Sequence, residues 1–253
     1  MLIDDGQLLL MFYYLCTPEF DYKSGKKMAK KGNKTEDQFA QIEETLSRTE
    51  QYIEDNQKSL TVIVGAIVAI IAIYLGFTNF YLEPLEQEAH ADMFMAEMYF
   101  EKDSFNLALN GDGQYLGFLD IVDEYSLTNA GNLANYYAGL CYLHTAQYED
   151  AIEYLSDFSS DDIILSTLAL GSIGDAYLEL EDKSKALKYY EKAAENNDNE
   201  FTTPRYLMKQ ANVLEMDEEF ENALEIYNQI KKDYSKSQIA QDIDKYIVRA
   251  SNR

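Results

Sequence analysis

The chain has 253 residues, 47% of them hydrophobic, with 45 Asp+Glu against 21 Lys+Arg and a formal charge of −24. Tracking a phosphate backbone needs clustered Lys and Arg, so this balance argues against nucleic acid as a partner. The two cysteines, Cys16 and Cys141, lie on opposite sides of an apolar stretch and supply neither a disulfide framework nor a zinc motif.

Residues 1–35 read as a disordered or upstream-translated tail. QLLLMFYYLC imitates the apolar region of a signal peptide, but Asp4 and Asp5 stand where a positive start is needed. A lipoprotein reading of Cys16 fails on bulky Tyr14 and Leu15. Met28, opening MAKKGNKTED, is therefore the expected natural start. Residues 36–59 follow as a cytoplasmic amphipathic helix. Its seam is Phe39, Ile42, Leu46, Thr49 and Ile53, at alternating spacings of three and four.

Residues 60–82, LTVIVGAIVAIIAIYLGFTNFYL, contain no charge. At about 1.5 Å per residue this length covers a hydrocarbon core of about 30 Å, so a single transmembrane helix is expected. Eight Lys and Arg precede it, and only Lys102 appears in the 37 residues after it. That bias holds the amino end in the cytoplasm. In a bacterium with two membranes the carboxyl-terminal part is then periplasmic. Tyr74, Phe77, Phe80 and Tyr81 suit an aromatic belt at the outer end. Gly65, Ala69, Ala72 and Gly76 fall on one side and form a candidate helix-packing seam, although Gly and Ala are also common in membrane helices.

Residues 83–253 carry 34 Asp+Glu against 13 Lys+Arg and repeat themselves. Gly139, Tyr142, Ala151 and Leu155 are answered 35 residues later by Gly174, Tyr177, Ala186 and Tyr190. They are answered again 37 residues on by Ala211, Leu214, Ala223 and Tyr227. Ala96, Tyr99, Phe105 and Ala108 form a degenerate upstream copy. Such a period means stacked pairs of antiparallel helices, because one pair cannot cover its own apolar face. The insertion GQYLGFLDIVDEYS keeps Tyr115, Phe118, Leu119 and Val122 in helical register and is expected to lengthen a helix. Ile239, Ile243, Tyr246 and Ile247 mark a final capping helix, and Pro204 suits a helix start.

Neither His90 nor His144 stands in catalytic spacing to a Ser, Cys or carboxylate. NGDG at 110–113 lacks the alternating oxygen ligands of a calcium loop, and no phosphate-binding glycine pattern occurs. No catalytic residue, cofactor or metal is therefore expected. The fold class is all-α, with one transmembrane helix followed by an α-solenoid.

The small, aromatic, small, aromatic order, clearest around KSKALKYYEKAAE, resembles tetratricopeptide repeats. That resemblance implies a protein-binding groove on the inner surface. Its lining would be Tyr136, Leu140, Leu143 and His144, then Asp175, Leu178 and Glu179, then Met208, Asn212, Glu215 and Met216. This groove would be apolar and acidic, without the Lys/Arg/Asn clamp that holds acidic carboxyl termini in some relatives.

A second resemblance covers roughly residues 36–250 and is densest from EDNQKSL to EAHADMFMAEMYFEKDSF. The layout is similar to the membrane-anchored periplasmic ancillary subunits of the bacterial Sec translocon. It implies contact with translocon subunits and a periplasmic chaperone, in aid of secreted clients. The alternative is a structural scaffold for cell-envelope assembly or division.

Overall fold

The computed structural model describes residue 53 and residues 55–253, and every regular element among them is helical. The tail at 1–35, Met28, and Phe39, Ile42, Leu46 and Thr49 of the amphipathic seam lie outside the described residues. The chain divides into two compact units, 1–67 and 68–253.

Helix α1 is Gln57–Phe77, and none of its residues is buried. It belongs to the one described helix long and apolar enough to cross a membrane. Thr61 Oγ1 donates to the Gln57 carbonyl at 2.8 Å, which hides a hydroxyl that lipid could not satisfy.

Within the second unit the helical backbone does not stop where the charge-free stretch ends. It passes through a π-helical turn, Thr78–Leu82, into α2, Glu83–Glu101. Pro84 explains the wide turn: proline has no N–H to donate and its ring crowds the carbonyl four residues back. The Glu83 N–H reaches the Thr78 carbonyl instead. Thr78 Oγ1 donates to the Tyr74 and Leu75 carbonyls at 3.1 Å, and Asn79 Nδ2 to Leu75 at 2.9 Å, so both polar side chains are satisfied on the turn before them. Phe77 and Tyr81 stack at 5.2 Å, and Phe80 is 86% exposed.

Helices α3 (Phe105–Asn110), α4 (Phe118–Glu124), α5 (Asn129–His144) and α6 (Tyr148–Asp157) come next. Then follow α7 (Ile163–Glu179), α8 (Lys183–Glu195), α9 (Thr203–Met216) and α10 (Phe220–Asp233). A 3₁₀ turn, Ile239–Asp242, and α11, Ile243–Ser251, close the chain. The final helix is thus two short pieces, with Ile243 buried against the last hairpin.

One turn is made four times. Asp103, Ala146, Glu181 and Glu218 each hold a left-handed backbone, with φ between 53° and 61°. The next residue's N–H returns 2.9 Å to the carbonyl of Tyr99, Tyr142, Tyr177 or Leu214. This is the Schellman arrangement, built here without glycine. It closes α2/α3, α5/α6, α7/α8 and α9/α10. The copy that looks degenerate in sequence is therefore a full hairpin in its turn geometry.

The insertion departs from the expected longer helix. Gly111, at φ 74°, ends α3, and residues 111–117 form a loop before the separate helix α4. Tyr115 lies in that loop. The Asp112 carboxylate takes the N–H groups of Gln114 and Tyr115 at 2.8 Å and the Tyr99 hydroxyl at 2.7 Å. Those three donors hold its pKa below the ordinary value, the Tyr99 hydroxyl most strongly. NGDG is a turn organised by one carboxylate.

Small residues set the packing inside each hairpin. A Cβ on Gly139 would lie 2.5 Å from Leu155 Cγ, and one on Gly174 would lie 2.6 Å from Tyr190 Cε1. Three buried clusters run along the stack: one from α2 to α5, one between α5 and α7, and one from α8 to α11. Burial with no nearby charge pushes the Cys141 thiol up to about 12, so it packs as a small apolar side chain. Every buried side-chain nitrogen and oxygen among the described residues has a hydrogen-bond partner.

Charge is divided unevenly along this unit. Residues 83–182 hold 21 Asp+Glu and a single Lys, whereas residues 183–253 hold 13 Asp+Glu and 12 Lys+Arg.

Candidate functional site

The first helix of each hairpin from α5 onward carries the residues expected to line a groove. Their local geometry is firmly built. Thr128 caps α5 by accepting from Gly131 N at 2.9 Å. The Glu86 carboxylate takes the next two N–H groups, Asn129 at 2.7 Å and Ala130 at 3.0 Å. Asp162 caps α7 through Ile164 and Leu165. Thr203 and Pro204 open α9, where proline's missing donor costs little.

Tyr136 is 7% exposed and sits against the Phe158 and Tyr137 rings at 5.1 and 5.8 Å, so it builds core. Leu140 and Met208 are half-buried on the apolar clusters. His144 is exposed and lies flat on Phe105, with ring centroids 4.4 Å apart and planes 2° from parallel. Asn212 accepts from the Tyr227 hydroxyl at 3.4 Å. Glu215 accepts from Arg249 of α11, at 3.3 Å from Nε and 2.5 Å from the other guanidinium nitrogen. Met216 is exposed.

Asp175, Leu178 and Glu179 do come together. With Leu143, Tyr148 and Lys209 they line an open hollow of about 340 Å³ between α5, α7 and α9. Asp175 takes the Tyr190 hydroxyl at 2.7 Å and also the Lys209 ammonium. Glu179 takes the Tyr148 hydroxyl at 3.3 Å. Burial raises the Tyr190 hydroxyl's pKa well above its usual value, and the Asp175 carboxylate raises it further.

Two lining residues are absent from the sequence expectation. Tyr148 belongs to the second helix of its hairpin, which a projection of first-helix positions leaves out. Lys209 stands 34 residues after Asp175, one repeat length, and opposite charge at that interval was the available signal. Lys183 pairs with Asp217 at the same interval. Both pairs tie the α7/α8 hairpin to the α9/α10 hairpin.

The four small residues of the proposed seam lie on α1, where Gly65, Ala69 and Ala72 are exposed and Gly76 is half-buried in the isolated chain. A Cβ on Gly65 or Gly76 would meet nothing within 4 Å. Among the described residues no group of three His, Cys, Asp or Glu is arranged to hold a metal ion.

Residues 172–237 match the tetratricopeptide repeat family. The match runs from within α7 to just past α10, where the sequence period is sharpest. Curated proteins give no match to this chain. Among solved structures, a Podosopora anserina protein titled as a kinesin light chain with nearly identical TPR-like repeats is similar. It is 12% identical, with a TM-score of 0.49, over 66% of this chain and 86% of that one.

Proposed function

We propose that this chain is a non-enzymatic, membrane-anchored adaptor that binds other proteins through the inner face of its helical hairpins. The observation that carries the reading is the hollow in which Leu143 and Leu178 stand beside the Glu179 carboxylate, on a stack of hairpins. Repeats of this architecture create extended concave surfaces by the small rotation between units. The charge-free stretch at 60–82 supports anchoring in lipid. The Lys/Arg excess before it supports an amino end in the cytoplasm and repeats in the periplasm.

The partners we favour are subunits of the Sec translocon, a periplasmic chaperone and secreted clients. The layout of residues 36–250 supports this choice, and the small-residue side of α1 offers a surface for another membrane helix. A scaffold for envelope assembly or division is the competing reading.

A photo-crosslinking residue at position 143 or 178, in native membranes, tests the proposal. Discrete protein adducts are expected from these positions and few from Glu191, on the outward side of α8. Equal yields from all three positions would remove the groove. Translocon subunits among adducts from positions 69 and 76 support the Sec assignment; division or wall-assembly proteins in their place support the scaffold.

A further inference from the structure

We propose that the hollow between α5, α7 and α9 receives a lysine or arginine side chain of an extended polypeptide. Its cationic head meets Glu179, and its aliphatic stem lies on Leu143 and Leu178. The inference rests on the groove reading and names the chemistry that the groove selects.

Among the described residues, the one cation lining the hollow is already engaged, and two others, on α8 and α11, are paired as well. Lys209 is held by Asp175 and lies 5.5 Å above the Tyr190 ring. Lys183 meets Asp217 and the Met216 carbonyl. Arg249 grips Glu215 and covers the Tyr246 ring at 4.8 Å. An acidic ligand would have to break one of these pairs and leave a carboxylate without its partner. Glu179 is different. It receives only the Tyr148 hydroxyl at 3.3 Å, longer than the usual 2.7–2.8 Å for such a bond. No Lys or Arg lies within ion-pair distance of it among the described residues.

An incoming ammonium or guanidinium would complete that carboxylate without disturbing its neighbours. The two leucines suit a methylene stem, since Lys and Arg bury their stems while the head stays polar. A hollow of about 340 Å³ holds one such side chain with space for a flanking apolar residue. The surrounding field has the same sense. Both α5 and α7 belong to the stretch 83–182, which carries 21 carboxylates and one lysine, and such a surface concentrates cationic segments around it.

The test uses the full chain in lipid nanodiscs and three fluorescein-labelled nonapeptides that differ only at the centre: Leu-Lys-Leu, Leu-Glu-Leu and Leu-norleucine-Leu. Anisotropy at low salt should show the lysine peptide binding about threefold more tightly than the norleucine peptide, the value of an ion pair with an exposed carboxylate. The glutamate peptide should bind weakest. Glu179→Gln should bring the lysine peptide to the norleucine level and leave norleucine binding unchanged, with helicity by circular dichroism intact. The inference is overturned if lysine and norleucine bind alike, if none of the peptides binds, or if Glu179→Gln keeps the preference. Crosslinks from positions 143 and 178 that persist in any of those cases preserve the groove and remove only its charge selectivity.

Discussion

The Tyr190 hydroxyl donates to Asp175 Oδ1 at 2.7 Å, and the two residues stand 15 positions apart on the two helices of one hairpin. The next hairpin repeats the relationship at the same separation, with Tyr227 on Asn212. In the second case the bond is longer and the acceptor neutral. Tyr190→Phe should therefore cost about 1.5–3 kcal/mol, as for a hydrogen bond to a charged acceptor. Tyr227→Phe should cost less than half of that. Urea unfolding of the two variants measures both, and equal losses would contradict the assignment.

Gly174 is a packing requirement. A methyl there would run into the Tyr190 ring at 2.6 Å, and that ring is held by Asp175 and buried. Gly174→Ala should destabilise by about 1–3 kcal/mol, the usual cost of overpacking. Gly76→Ala on α1 meets open space and should leave unfolding of the repeats unchanged. Loss of a membrane partner in that variant would then report on helix packing.

The four left-handed turns offer a gain. A non-glycine residue in this conformation costs about 1–2 kcal/mol, and glycine gives back only part of that as chain entropy. Glu181→Gly and Glu218→Gly should each stabilise by about 0.5–1 kcal/mol in thermal unfolding. A loss in both would show that the glutamate side chains contribute there.

Alkaline pH should unfold the domain in a defined window. Burial pushes the Tyr206 and Tyr227 hydroxyls up to about 12 from an ordinary 10.0. A folded pKa above the unfolded one favours the protonated, folded form. The stability is thus fully present below about pH 10 and is lost as pH rises through 12. Tyr206→Phe should flatten that limb relative to its own stability at pH 8. A denaturation midpoint followed from pH 8 to 12 supplies the comparison.

The period of 35 and 37 residues made the hairpins legible, because small and aromatic residues recur wherever two helices close on each other. Gly139, Gly174 and Tyr190 sit where that logic places them. The insertion was not legible in the same way. Phe118, Leu119 and Val122 keep helical spacing, but apolar spacing is blind to Gly111, whose positive φ ends the helix first. The groove was legible only in part. Asp175, Leu178 and Glu179 meet, whereas Tyr136 is taken into the core by Phe158, which directly follows the second helix of the same hairpin and so lies outside the first-helix positions. Tyr148 and Lys209 enter the hollow from other elements. A reading confined to the first helix of each pair could not find Tyr148, whereas Lys209 lies on such a helix and was marked only by its charge opposite Asp175.

The division of charge has a mechanical outcome. Each hairpin leans only on its neighbours, so the stack has no central core to average local strain. Carboxylates crowd the hairpins nearest α1 with one lysine to offset them, while the distal hairpins are nearly balanced. Dilute buffer should therefore loosen the proximal end first, and added salt should firm that end far more than the other. The solenoid is a spring with one soft end, whose stiffness the surrounding electrolyte sets.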